Sequence, residues 1–242
     1  MAEQPLAGRR IVVTRPEARP LADELERLGA EVTIVPLIEI RPAEDRRALE
    51  EAVGDMARYD WIVLTSVNGV AAVSDGLARL GGSTRVAAVG PVTADAIRAH
   101  GVEPAFVAVR ASDDIAGGLG ELDGSRVLLP QADIADPALA EELRGQGAEV
   151  DVVVAYRTVL VEPPMWGILP LRIADAVVLA SGSACRSLAA AGGAGGAAML
   201  VCIGPKTAKV AREVGLHVGL VADETTSDGI IRTLVSHFGE ST

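Results

Sequence analysis

The chain repeats itself, and the order of the repeated pieces restricts its fold more than any other feature. The run Val86-Ala-Ala-Val-Gly-Pro-Val-Thr-Ala94 resembles Leu200-Val-Cys-Ile-Gly-Pro-Lys-Thr-Ala208 at an offset of 114. Asp60-Trp-Ile-Val-Leu-Thr-Ser66 resembles Asp175-Ala-Val-Val-Leu-Ala-Ser181 at 115, and Ser112 and Ser227 open similar helices at the same offset. A second piece recurs beside the first. Gly8-Arg-Arg-Ile-Val-Val begins like Gly124-Ser-Arg-Val-Leu-Leu, and Leu25–Val32 matches Leu143–Val150 at 118. With X for the shorter, two-strand piece and Y for the longer, three-strand piece, the chain reads X, Y, X, Y.

Two folds satisfy that order. A tandem splits the chain between residues 122 and 124. An insertion pairs the first X with the last Y and makes the middle Y–X a lobe of its own. The repeat leaves both open, but two extended, β-branched, Pro-bounded segments favour insertion. Pro36-Leu-Ile-Glu-Ile-Arg-Pro42 and Ala155-Tyr-Arg-Thr-Val-Leu-Val-Glu-Pro163 suit a two-stranded linker. The expected layout is a discontinuous domain of residues 1–37 and 162–242, an inserted domain of 43–154, and linker strands at 37–42 and 155–162. The 242 residues accommodate two domains of roughly 110–120 residues each.

Each piece reads as alternating strand and helix. Strands are expected at Ile11–Thr14, Val32–Val35, Trp61–Thr65, Val86–Val89, Ala105–Val109, Val127–Leu129, Val150–Ala155, Ala176–Ala180, Met199–Ile203 and Val218–Val221. Their apolar residues run continuously, as in parallel strands covered by helices on both faces. The intervening helices are expected at Pro16–Leu28, Pro91–His100, Asp136–Arg144 and Pro205–Val214, stopped by Gly29, Gly101, Gly145 and Gly215. The fold class is therefore α/β, two doubly wound parallel sheets.

Composition excludes several functions. A formal net charge of -11 opposes a general nucleic-acid binder, which needs a basic face. Aromatic residues are only 2% of the chain, too few for base-stacking platforms. Cys185 and Cys202 lie far apart in sequence and the three histidines are scattered, so neither a zinc motif nor a disulfide framework is legible. Cys185 reads as a small packed residue. No leader peptide or run of 18 uncharged apolar residues is apparent, so no membrane partner is expected and the cytoplasm is the expected location.

Open α/β sheets bind ligands beyond the carboxyl ends of their strands. Here those ends carry Thr14-Arg-Pro16, Thr65-Ser-Val-Asn-Gly69, Gly90-Pro-Val-Thr93, Pro130-Gln131, Ser181-Gly-Ser183 and Gly204-Pro-Lys-Thr207. Each leads into a helix, whose free N–H groups favour anions. A lone Ser, Thr or Asn at such a place is ordinarily only a cap. Gly192-Gly-Ala-Gly-Gly196 lacks the Gly-Lys-Ser/Thr ending of a phosphate loop and reads as a flexible surface loop. Arg15 reads either as a fork for a carboxylate or as a surface ion pair. Tyr156 breaks the repeat, which sets it opposite Ile38 and so predicts an apolar residue there.

The pieces Val13-Thr-Arg-Pro16, Leu64-Thr-Ser-Val-Asn-Gly-Val70, Ala88–Ala94, Val154-Ala-Tyr-Arg-Thr158, Ser181-Gly-Ser183, Ile203-Gly-Pro-Lys-Thr-Ala208 and Thr226-Ser-Asp-Gly229 occur in the order seen in a known family. The chain resembles the uroporphyrinogen-III synthases across nearly its whole length. The resemblance implies two flavodoxin-like lobes joined by a two-stranded linker, with the active site between them. It implies a monomeric lyase without metal or organic cofactor that cyclises hydroxymethylbilane to uroporphyrinogen III, with inversion of ring D and loss of water. It implies a catalytic role for Tyr156. For the acetate and propionate groups of this polycarboxylate linear tetrapyrrole it implies donors at Thr65, Ser66, Asn68, Ser181, Ser183 and Thr207. Arg15, Gly69, Gln131, Gly182 and Lys206 complete the expected substrate-binding set. One departure stands out: the family commonly has a proline after the serine where this chain has Gly182, which predicts a looser loop. Two other functions suit a two-lobed α/β chain: a small-molecule binding protein without catalysis, and a sugar-nucleotide transferase. For the second, the chain lacks a clear acidic ribose or metal site.

Overall fold

In the computed structural model of the chain, residues 4–108 and 113–239 are described. Among them the strands, in chain order, are β1 (Arg10–Val13), β2 (Glu31–Ile34), β3 (Ile38–Pro42), β4 (Trp61–Leu64), β5 (Arg85–Val89), β6 (Phe106–Ala108), β7 (Arg126–Ala132), β8 (Glu149–Leu160), β9 (Ala176–Leu179), β10 (Met199–Cys202) and β11 (Val218–Val221). The chain divides into two compact units, one of Met1–Glu39 and Val159–Thr242, the other of Ile40–Thr158. The expected positions Val109 and Ser112 lie outside the described residues.

The first unit holds a five-stranded sheet in the order β11-β10-β9-β1-β2, with the parallel pairings β1–β2, β1–β9, β9–β10 and β10–β11. Counted within the unit this is the flavodoxin-like order 2-1-3-4-5. The second sheet runs β3-β8-β7-β4-β5-β6. Leaving β3 aside, β8-β7-β4-β5-β6 is the same spatial order with the chain entering at the third strand. The first X thus pairs with the last Y, and the second unit is a circular permutation of the first.

The continuous apolar runs are explained by which core each residue enters. In β1, Ile11 and Val13 join one cluster and Val12 the cluster on the opposite face. In β4, Ile62 and Leu64 point one way and Trp61 and Val63 the other. Every residue of β4 and of β9 is buried. Fully burying one such side chain contributes about 1.5–3 kcal/mol, so both faces need a helical cover.

The repeat also marks a specific device. Asp60 and Asp175 stand before β4 and β9, and each carboxylate accepts the backbone N–H of a neighbouring strand's first residue. Arg126 donates to Asp60 Oδ2 at 2.8 Å, and Arg10 to Asp175 Oδ2 at 2.8 Å. At the other end of the same strands, Ser66 and Ser181 cap the following helices in matching extended conformations, φ -159° and -157°. The repeated motif is therefore a register clamp at one end and a cap at the other.

Several local expectations change. The first helix begins at Arg19 rather than Pro16, with Pro20 in its first turn. Gly145 ends the helix Ala138–Gly145 from inside, and the left-handed residue is Gly147 (φ 90°). Gly147 is the 118-offset partner of Gly29 (φ 98°), so the repeat itself carried that signal. The separate strands expected at Val150–Ala155 and in the linker are one twelve-residue strand, β8, because no Gly or Pro interrupts the β-branched run before Pro163. The Gly192–Gly196 loop is pinned rather than loose. Gly195 N–H donates to the Leu171 carbonyl at 3.0 Å, and a Cβ on Gly195 would lie 2.0 Å from the Arg172 carbonyl oxygen.

Candidate active site

In a sheet of order 2-1-3-4-5 the crevice opens where strand order reverses, between the first and third strands. That point lies between β1 and β9 in one unit and between β7 and β4 in the other. Several of the expected residues fall there because of topology, whereas Lys206 and Thr207 follow β10 and Tyr156 lies on β8. Arg15 follows β1, Ser181–Ser183 follow β9, Gln131 lies near the end of β7, and Thr65–Gly69 follow β4.

In the second unit, Ser66 is half-buried and its Oγ accepts the backbone N–H of Gly69 at 3.0 Å. The same Oγ lies 3.0 Å from the Tyr156 hydroxyl. A hydroxyl has one proton and two acceptor positions. With one position filled by Gly69, Ser66 keeps its proton and a second acceptor position, so either hydroxyl can donate in the contact with Tyr156 Oη. The Tyr156 ring packs on the cluster that holds Leu64, Val70, Val153 and Ala155. The phenol is thus fixed at ring and hydroxyl while remaining partly exposed. Gly69 is buried, and a Cβ there would touch the Pro130 carbonyl and Ser66 Oγ at 3.4 Å each. Thr65, Asn68 and Gln131 are partly exposed close to these residues in sequence.

In the first unit, Ser181 Oγ accepts the Ala184 N–H at 3.2 Å. A Cβ on Gly182 would meet Val210 Cγ2 at 3.0 Å. The loop expected to be looser for want of a proline is therefore held by a cap and by helix packing, and close packing accounts for Gly182. Ser183 is partly exposed. Lys206 is exposed, whereas Thr207 is buried and its carbonyl receives the Cys185 thiol at 3.7 Å. Arg15 is half-buried and its Nη2 donates to Ser227 Oγ at 3.4 Å, while its Nε is enclosed without a hydrogen-bond partner. Burial lowers the guanidinium pKa and Glu17 partly offsets this; the group stays charged. In the sequence Ser227 is legible only as a helix start; its contact with Arg15 comes from the fold.

Cys185 and Cys202, distant in sequence, are neighbours with both thiols buried. The hydrogen bond between them, and then burial, push the Cys185 thiol above its usual range. Cys185 is fully buried and packs in the core of the first unit. Among the described residues no cluster of three or more His, Cys, Asp or Glu is placed to hold a metal, and no helix is long and apolar enough to cross a membrane.

Fold and site define a two-unit, flavodoxin-like α/β protein with hydroxyl-capped helices at its switch points and a tethered phenol. The family described as uroporphyrinogen-III synthase HemD matches residues 19–232. The uroporphyrinogen-III synthase of Synechococcus elongatus is 30% identical over 96% of both chains. The porphyrin biosynthesis protein HemD of Ruminiclostridium josui is 29% identical over 96% of this chain, which covers 49% of that longer protein. The fold is shared with a mutant uroporphyrinogen III synthase from Thermus thermophilus (TM-score 0.65, 18% identity, 97% of this chain and 100% of that one). It is shared also with uroporphyrinogen-III synthetase from Helicobacter pylori (TM-score 0.64, 17% identity, 95% and 99%). The chain belongs to the uroporphyrinogen-III synthase family, hydro-lyases of tetrapyrrole biosynthesis.

Proposed function

We propose that this chain cyclises hydroxymethylbilane to uroporphyrinogen III, with Tyr156 as the proton donor to the departing hydroxyl. The observation that carries the role is the relay from Gly69 N–H through Ser66 Oγ to Tyr156 Oη, each step 3.0 Å. Either hydroxyl can donate in this pair; the proposed role uses the orientation in which Ser66 donates, which directs the phenol proton outward at the end of a polarised hydrogen-bonded chain. Electron release from the ring A pyrrole nitrogen breaks the carbon–oxygen bond, and the hydroxyl takes the phenol proton and leaves as water. Ring D then attacks through its substituted α-carbon, the spiro intermediate breaks, and closure follows with ring D reversed. The proton lost as ring D regains aromaticity restores the phenol.

Choosing spiro attack over direct closure is a matter of holding the chain, which many modest contacts achieve. Thr65, Ser66, Asn68, Gly69 and Gln131 in one unit, and Arg15, Ser181, Gly182, Ser183, Lys206 and Thr207 in the other, are the proposed partners of the substrate carboxylates. The close packing of Gly182 and the burial of Thr207 leave their main-chain groups as the relevant donors. The overall negative charge does not oppose this, because at physiological salt fields are screened beyond about 8 Å. Following the family resemblance, we take the enzyme to be a cytoplasmic monomer acting on a free small molecule.

Arg15→Ala is expected to raise KM for hydroxymethylbilane roughly tenfold with a smaller change in kcat, the range of a charge-assisted hydrogen bond. An unchanged KM removes Arg15 from the binding set. The reaction itself is tested by incubating the purified protein with hydroxymethylbilane and resolving the oxidised products by isomer. Type III in excess is expected; type I alone, as without enzyme, refutes the activity and favours a binding protein.

A further inference from the structure

We infer that Asp133 is the positioning residue for Tyr156, acting through an irregularity in the sheet; the inference rests on the proposed role of the phenol. Along a regular strand successive side chains point to opposite faces. Val153 and Ala155 belong to the cluster on one face of the second sheet, and Val150 packs on the other. Regular alternation would turn Tyr156 away from Val153 and Ala155, towards the face of Val150 and Val154. Yet Tyr156 packs with Val153 and Ala155, and its hydroxyl reaches Ser66.

The pairing of β7 with β8 explains this. Gln131 pairs with Val154 and Ala132 pairs with Tyr156, so Ala155 is an extra residue in β8. One inserted residue reverses the facing of the residues beyond it, and bulges recur beside functional sites for that reason. The bulge, not the strand, aims the phenol.

Asp133 holds the strand immediately beyond the bulge, through its backbone and its side chain. Its backbone N–H donates to the Tyr156 carbonyl at 3.0 Å. Its Oδ1 accepts the Thr158 N–H at 3.0 Å, and its Oδ2 lies 3.6 Å from Arg157 Nε. Arg157 is held in turn by Glu44. One side chain thereby fixes the two residues after Tyr156, while its own backbone fixes Tyr156. Asp133 acts on the phenol through the strand: its contacts are with the backbone of Tyr156 and Thr158 and with Arg157.

The test compares Asp133→Ala, which removes both side-chain contacts, with Asp133→Asn, which keeps an acceptor for Thr158 N–H. With ring-labelled tyrosine, the protein gives two NMR signals, Tyr59 and Tyr156, assigned through Tyr156→Phe. In Asp133→Ala the Tyr156 signal is expected to shift while Tyr59 holds, with kcat falling about tenfold and KM within twofold. Asp133→Asn should keep kcat within about threefold of wild type. If Asp133→Ala does not accumulate, Asp133→Ser, too short to span the same gap, takes its place. An unmoved Tyr156 signal overturns the inference, as does a moved signal with undiminished kcat where Tyr156→Phe is impaired. If Tyr156→Phe itself turns over at the wild-type rate, the catalytic reading fails, and the positioning claim stands or falls on the NMR signal.

Discussion

Tyr156→Phe is expected to lower kcat by about 10²-fold or more with KM little changed, the usual worth of a positioned proton donor. That loss corresponds to about 3 kcal/mol at the transition state. The fold should survive. The phenyl ring keeps its place against Val153, Ala155, Leu64 and Val70, and Ser66 still caps its helix through Gly69 N–H. Only one half-exposed neutral hydrogen bond disappears, worth about 1 kcal/mol. As turnover falls, spontaneous closure should take a growing share and the type I product should rise. A stopped assay with isomer analysis, beside a thermal melt, reads all three quantities. Wild-type turnover with type III retained would remove Tyr156 from the chemistry.

The second large effect concerns stability. Gly195→Ala is expected to destabilise the first unit by about 2–3 kcal/mol, the scale of overpacking against atoms that cannot move aside. Its Cβ would lie 2.0, 2.7 and 2.9 Å from the carbonyl oxygen, carbonyl carbon and Cα of Arg172, all backbone. Gly196→Ala is the control. A Cβ there meets open space, so its effect should stay within about 0.5 kcal/mol. Urea unfolding of the two variants decides the matter. Equal midpoints would mean that the loop is as loose as its five-residue glycine-rich composition suggests.

That loop shows where composition misleads. Glycine in a glycine–alanine stretch is compatible with freedom and with confinement, and only the neighbouring backbone distinguishes them. The reverse holds at Gly29, Gly101 and Gly215, each in the left-handed region after a helix, as its place in the pattern predicted. Gly90 and Gly204 occupy equivalent places before Pro91 and Pro205 for different reasons. Gly90 has φ 80°, whereas Gly204 is extended and a Cβ there would sit 2.7 Å from Thr225 Oγ1.

The sequence by itself determined most of the strands and the duplication, while the class of chemistry came through the family resemblance that its motifs carry. Apolar runs bounded by helix patterns are local physics, and a repeat in the order X, Y, X, Y is visible without coordinates. Ser66, Ser181, Arg15 and Tyr156 could all be named from their places at strand ends and from the symmetry that Tyr156 breaks. Tertiary structure decided which X joins which Y, because strand pairing is a long-range choice that local pattern does not encode. It also decided the reach of Tyr156 to Ser66, the contact of Arg15 with Ser227 and the meeting of Cys185 with Cys202. The facing of Tyr156 turns on a single unpaired residue, Ala155, and on an aspartate 23 positions upstream of the tyrosine. A bulge leaves no mark in a run of β-branched residues; it exists only once two strands are set side by side and their hydrogen bonds fail to match.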